Sequence, residues 1–171
     1  MANKHGGGAK TNANGLRFEQ DTSLNTALIN AGYKIQEEEV LSGNKSIGFS
    51  VPQRKLYSKF LEPNGIHYSD YNSKKWLPDE CFINEKKKTA YIIEKKFQNS
   101  SGSVDEKLQG CEFKKKMYKN LLNPLGYEVI YLYIFNDWFK QPRYRDILDY
   151  IEEKDCYYFF NEIPLDFLGL A

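Results

Sequence analysis

The 171-residue chain has little cysteine: Cys81, Cys111 and Cys156 are odd in number, scattered, and without paired spacing. A disulfide framework and a thiolate zinc site are therefore not expected, and the thiols read as small buried residues in a reducing, cytoplasmic compartment. Long apolar runs are missing too. The longest, residues 129–135, falls far short of the roughly 20 residues a membrane span needs, and the polar, Gly-rich residues 1–10 do not read as a secretion signal. Nor does charge of one sign prevail, since 24 Lys and Arg meet 23 Asp and Glu. A charged disordered tail and a uniformly basic coat protein are excluded on that ground. What the chain does have is 41% hydrophobic and 15% aromatic residues, enough for one core and about one domain.

The charge is unevenly placed. Across residues 74–119 twelve Lys face seven acids, whereas from Arg143 onward three bases face seven acids. Any polyanion would dock on the central and N-terminal parts. Solvated lysines on exposed faces explain the same pattern equally well, so charge alone leaves both readings open.

Residues 1–15 lack apolar periodicity and read as an arm, with Asn14 as the N-cap of a helix. Leu16, Phe18, Leu24, Ala27, Leu28 and Ala31 predict that helix over 16–31, stopped at Gly32. A first strand is expected within 33–41. Residues 42–77 form a long irregular insertion, rich in aromatics and turn residues, with a short helix near 54–61; so long a connection in a small domain usually carries function. Residues 79–84 and 89–97 flank the turn Glu85-Lys86-Lys87-Lys88 and predict a hairpin whose second strand, with Ala90, Tyr91, Ile92 and Ile93, is buried. Ser103 with Glu106 as capping-box partner opens a helix over 103–122. A central strand at 127–135, a helix at 142–153 and a strand at 156–160 complete the order αβββαβ(αβ). That order predicts an α/β (α+β) fold, a central mixed sheet flanked by helices, in one domain over 16–171.

Chemistry converges on the hairpin. Asp79 follows Pro78 and begins one strand, while Glu94 and Lys96, two apart and so on one face, end its partner. Carboxylate oxygens suit a hard cation such as Mg²⁺, which takes few protein ligands and keeps its waters. Such an ion acidifies water and offsets charge growing on phosphoryl oxygens, and Lys96 could orient that water and contact the phosphate. The three residue types together are those of metal-assisted phosphodiester hydrolysis.

The pattern Pro78-Asp79, then Glu94-Lys95-Lys96 on a hydrophobic strand, resembles the PD-(D/E)xK nuclease superfamily, over roughly residues 16–135. The resemblance implies a restriction-endonuclease-like core, with Asp79, Glu94 and the main-chain carbonyl of Lys95 as metal ligands, Lys96 as the catalytic lysine, Glu19 on the first helix as an assisting acid, and Gln98 as a supporting polar residue. It implies Mg²⁺, with Mn²⁺ as the substitute, double-stranded DNA as partner, a homodimer on a palindromic target, and no nucleotide cofactor. A type II restriction endonuclease is the leading expectation, with the insertion at 42–77 as the DNA-recognition region. A structure-selective nuclease, of the Holliday junction resolvase or repair type, is the alternative, and a catalytically silent DNA-binding module on the same fold is the third. Lys4, Lys10, Asn12 and Asn14 in the arm, and Arg54, Lys55, Asn64, Asn72, Lys74 and Lys75 in the insertion, have the chemistry of base and phosphate contacts. Tyr57, Tyr68, Tyr71 and Trp76 are candidates for stacking on bases, set against the core use most rings have. His67 with Asp70 is set aside as a surface pair, and Gly6-Gly7-Gly8 lacks the strand-loop-helix setting of a nucleotide cradle.

Overall fold

In the computed structural model, which describes residues 6–100 and 104–170 and side chains over 14–100 and 105–170, the chain opens with helices α1 (Gly6–Asp21) and α2 (Leu24–Asn30). Strands β1 (Lys34–Gln36), β2 (Glu39–Ser42) and β3 (Lys45–Ser50) come next. After an irregular stretch come β4 (Glu80–Asn84) and β5 (Thr89–Lys96), then α3 (Val104–Lys107), α4 (Cys111–Leu122), β6 (Glu128–Phe135), α5 (Arg145–Glu153) and β7 (Tyr157–Phe160).

The seven strands form one sheet in sequence order, antiparallel from β1 to β5 and parallel from β5 to β7. The parallel pairs require crossovers, which α3 with α4 and then α5 supply. Alternation along β5 assigns its side chains to two layers. Ala90 and Ile92 pack with Cys111, Tyr118 and Leu121 of the α4 layer, whereas Tyr91 and Ile93 pack with Phe18, Leu24 and Leu28 of the α1 and α2 layer. With helices on both faces, β5 and β6 are apolar on both, which is why they read as near-continuous hydrophobic runs.

Several sequence expectations are corrected by this architecture. Residues 6–15, expected as arm, are already helical in α1, while Lys4 lies outside the described residues, as do the side chains of Lys10 and Asn12. The helix expected over 16–31 is broken between α1 and α2. There the Thr22 hydroxyl donates to the Phe18 carbonyl at 2.6 Å and the Ser23 hydroxyl accepts from the Thr26 N–H at 3.3 Å, a local competition that ends one helix and caps the next. The single strand expected at 33–41 is the β1–β2 hairpin, turning at Glu37 with φ 56°. Strand β3 takes the first part of the expected insertion, leaving 51–78 as the irregular segment; its short helix is one π-helical stretch, Leu56–Leu61. The helix expected over 103–122 is interrupted by a 3₁₀ turn, Leu108–Gly110.

Candidate active site

The β4–β5 ladder runs from Asn84↔Thr89 to Glu80↔Ile93. One step beyond that last pair, the same register sets Asp79 opposite Glu94. Residues directly opposite in an antiparallel pair project on the same face, so the charge of Asp79 bears on Glu94. Asp79 is fixed from two further sides: Oδ2 accepts the Lys95 N–H at 2.8 Å and Oδ1 accepts from Gln53 Nε2 at 3.3 Å. Gln53 is itself anchored by its N–H on the Pro78 carbonyl at 2.8 Å, so the irregular segment grips the start of β4.

Glu94 is 7% exposed. Burial pushes its carboxyl up to about 8, and the charge of Asp79 pushes the same way, with Lys114 and Lys96 pulling against both. Its charge is felt in turn by the buried hydroxyls of Tyr118, Tyr131 and Tyr133. Without a cation Glu94 therefore holds its proton across much of the neutral range.

Lys96 comes two residues after Glu94 on the same face, at the rim. Lys114 of α4 comes from above. It is three residues after buried Cys111 and four before buried Tyr118, hence on the stripe of α4 that faces the sheet. Burial holds its ammonium below the usual lysine range, opposed by Glu94 and Asp79 and reinforced by Lys96 and Lys107. Lys114 is a site residue that sequence reasoning missed. The signal was present, a lone lysine in the apolar stripe of a helix.

Glu19 is not brought to this cluster. Its Oε2 sits 3.1 Å from Lys95 Nζ, which also contacts Glu80 Oε1 at 3.1 Å. Lys95, between Glu94 and Lys96 in sequence, projects on the opposite face of the sheet, toward α1 and α2. Burial works against its charge, but Glu80 and Glu19 outweigh that and hold its pKa above the usual range. Glu80 also accepts the Leu24 N–H at 3.3 Å, linking the ion pair to the start of α2. The expected assisting acid is thus a partner of a buried lysine across the sheet. Gln98 lies past the end of β5, its N–H donating to Asn136 Oδ1 at 3.1 Å and its carbonyl accepting from Asn136 Nδ2 at 2.6 Å, which ties the exit of β5 to that of β6.

Of the expected nucleic-acid contacts, Asn72 is corrected: it is buried, donating to the Met117 carbonyl at 2.9 Å and accepting from Asn120 Nδ2 at 2.9 Å, and so fastens the segment to α4. Asn64 is exposed at a turn and donates to the Phe60 carbonyl at 2.7 Å. Lys55 pairs with Glu38 at 3.5 Å, and Asn14 and Arg54 are exposed. Tyr57 is core, its hydroxyl donating to the Trp76 carbonyl, with Lys75 over its ring at 5.1 Å. Lys74 lies 4.2 Å over the Trp76 ring, and Trp76 meets Phe113 of α4 edge-on at 5.9 Å.

The donor set fits a hard divalent cation. Among the described residues no three His, Cys, Asp or Glu side chains cluster, so Asp79 and Glu94 offer two carboxylates, the small number that Mg²⁺ takes alongside water and phosphate. Two carboxyls set opposite each other on one face are also a pair whose mutual repulsion a cation would relieve. Among the described residues no helix is long and apolar enough to cross a membrane.

A family model described as a PD-(D/E)XK nuclease superfamily domain matches residues 34–121, about half of the chain, with Asp79, Glu94, Lys96 and Lys114 all inside the match. Searches of the curated proteins and of the solved structures return no match.

Proposed function

The chain belongs to the PD-(D/E)XK nuclease superfamily, and from that premise we propose that it is a Mg²⁺-dependent endonuclease that hydrolyses phosphodiester bonds in double-stranded DNA at a specific sequence, as type II restriction endonucleases do. The observation that carries this reading is the rung beyond the β4–β5 ladder, where Asp79 stands opposite Glu94 on the face to which Lys96 and Lys114 also come. Asp79, Glu94 and the Lys95 carbonyl would hold the cation. The N–H and C=O of one strand residue point to the same edge, and the Lys95 N–H already reaches Asp79. When bound, the cation supplies Lewis-acid stabilisation of the phosphoryl charge and a more acidic water.

The chain's own groups do the rest. Gln53 and the Lys95 N–H keep the Asp79 carboxylate aimed at the site. Lys96 orients the attacking water and contacts the phosphate from the rim of the site. Lys114, preorganised by the packing of α4, meets the charge that develops on the phosphate oxygens; a fixed donor in a dry site is worth more than the same group in water. The tyrosines behind Glu94 exclude water from that side. A homodimer would set two such sites across a palindrome, one per strand.

Digestion of a sequenced plasmid with purified protein and Mg²⁺, with the cut ends then mapped, tests this. Discrete fragments that vanish with Lys96→Ala support the reading, and cleavage unchanged by Lys96→Ala shows that the site is misassigned. A second reading, a structure-selective nuclease, is favoured by the exposed Phe113 ring set edge-on against half-buried Trp76, and cutting confined to branched or damaged DNA would select it.

A further inference from the structure

Phe113 is 55% exposed on a helix whose next residue, Lys114, faces the carboxylates. Trp76, whose ring it meets edge-on, is three residues from Asp79, which limits their Cα separation to about 11 Å. The backing of this face is rigid. Tyr57 donates to the Trp76 carbonyl, and Asn72 is bonded to both Met117 and Asn120, so the 72–76 segment is fastened along α4. On its other side Phe113 lines a groove of about 510 Å³ with four lysines, Lys115, Lys116, Lys119 and Lys154, and two acids, Glu112 and Asp155. Residues 72–79 and 111–119 together carry six lysines against two acids.

We propose that the Trp76–Phe113 face is the binding site for one unpaired nucleotide of the strand being cut, its base on Phe113 and its neighbouring phosphates along Lys116 and Lys119. The inference rests on the nuclease reading in its structure-selective form, whose substrate presents an unpaired nucleotide. An exposed ring stiffly backed and rimmed by lysines matches a ligand with both an apolar face and a run of negative charge. Unstacked bases have both, whereas paired bases in a duplex hide their faces. Lys154 is paired with Glu112 and Lys115 donates to the Asp155 carbonyl, but an apolar protein partner would leave Lys116 and Lys119 without counter-charge, so the charge favours the polynucleotide.

The test is binding of a fluorescent oligothymidylate and of a blunt duplex to the full chain in Ca²⁺, with wild type, Phe113→Ala and Lys116→Ala. Phe113→Ala should weaken the single strand by about 5- to 100-fold and the duplex much less. Lys116→Ala should lower the slope of log affinity against log salt by about 0.7. Equal loss on both ligands, or no loss on the single strand, overturns the proposal, as does a variant that changes only the sedimentation of the free protein, which would make the face a contact between copies. Circular dichroism of Phe113→Ala excludes misfolding. A wild type that cleaves no DNA with any divalent cation, yet binds the single strand through Phe113, would sink the nuclease reading and leave this site standing.

Discussion

Replacing Glu94 by Gln should remove a pH dependence of stability that the cation-free protein owes to one carboxyl. In the folded chain that group titrates at about 8, against 4.5 for an ordinary glutamate. Between those values the native state holds a proton that the unfolded chain has released. The stabilisation is complete below the lower value and is lost as pH rises through the upper one, at about 1.4 kcal/mol per pH unit within the window. From pH 5.5 to 8 the loss comes to about 3 kcal/mol, a large share of the 5–15 kcal/mol typical of a domain. Urea unfolding monitored by circular dichroism in EDTA would read it, as a midpoint falling by about 1–3 M over that range. Gln keeps the shape and the polar contact with Asp79 but carries no ionisable proton, so the variant should be flatter by that 3 kcal/mol. Glu80, whose carboxyl burial also raises against the pull of Lys95, adds a slope of the same sign to both proteins and cancels in the comparison. Added Mg²⁺ should restore the wild type at pH 8 by binding the charged form, and the variant much less. Parallel pH dependences in wild type and Glu94→Gln would refute the reasoning, since they would mean that Glu94 is not held protonated by its surroundings.

Lys114→Met should slow single-turnover cleavage by roughly 10²-fold while tightening Ca²⁺ binding by calorimetry, because one positive charge facing the carboxylates is gone; an unchanged rate would remove Lys114 from the site. Ca²⁺ should support DNA binding without efficient cutting, given its looser coordination, and equal cleavage in Ca²⁺ and Mg²⁺ would contradict that. Lys95→Met should cost about 3–5 kcal/mol by thermal unfolding, since Glu80 would be left buried without its counter-charge, and adding Glu80→Gln should recover most of it. A Lys95→Met protein within 1 kcal/mol of wild type would show that the pair is well solvated.

Elements are legible in the chain where the interactions that form them are local. The hairpin around Glu85–Lys88, the apolar β6 and the α5 region could be read because periodicity of 2 and 3.6 and turn chemistry act over a few residues. The breaks were harder. The interruption at Thr22-Ser23 depends on side-chain hydrogen bonds competing with the helix. Strand β3 was hidden because Lys45–Ser50 lacks strict alternation and is a strand by virtue of lying between β2 and β4.

The order of residues alone dictates that Asp79 and Glu94 could be neighbours, since a four-residue turn and a period of two leave few other registers, and that Glu94 and Lys96 share a face. Packing of the whole chain selects the groups that join them. Lys114, 35 residues after Asp79, enters because α4 packs over β6, the parallel neighbour of β5, and Glu19 is kept out because α1 packs on the other side, against Lys95. Spacing along a strand is local geometry and is written in the residues; the side of the sheet a helix covers is set by the burial of both apolar faces at once, which no single segment encodes.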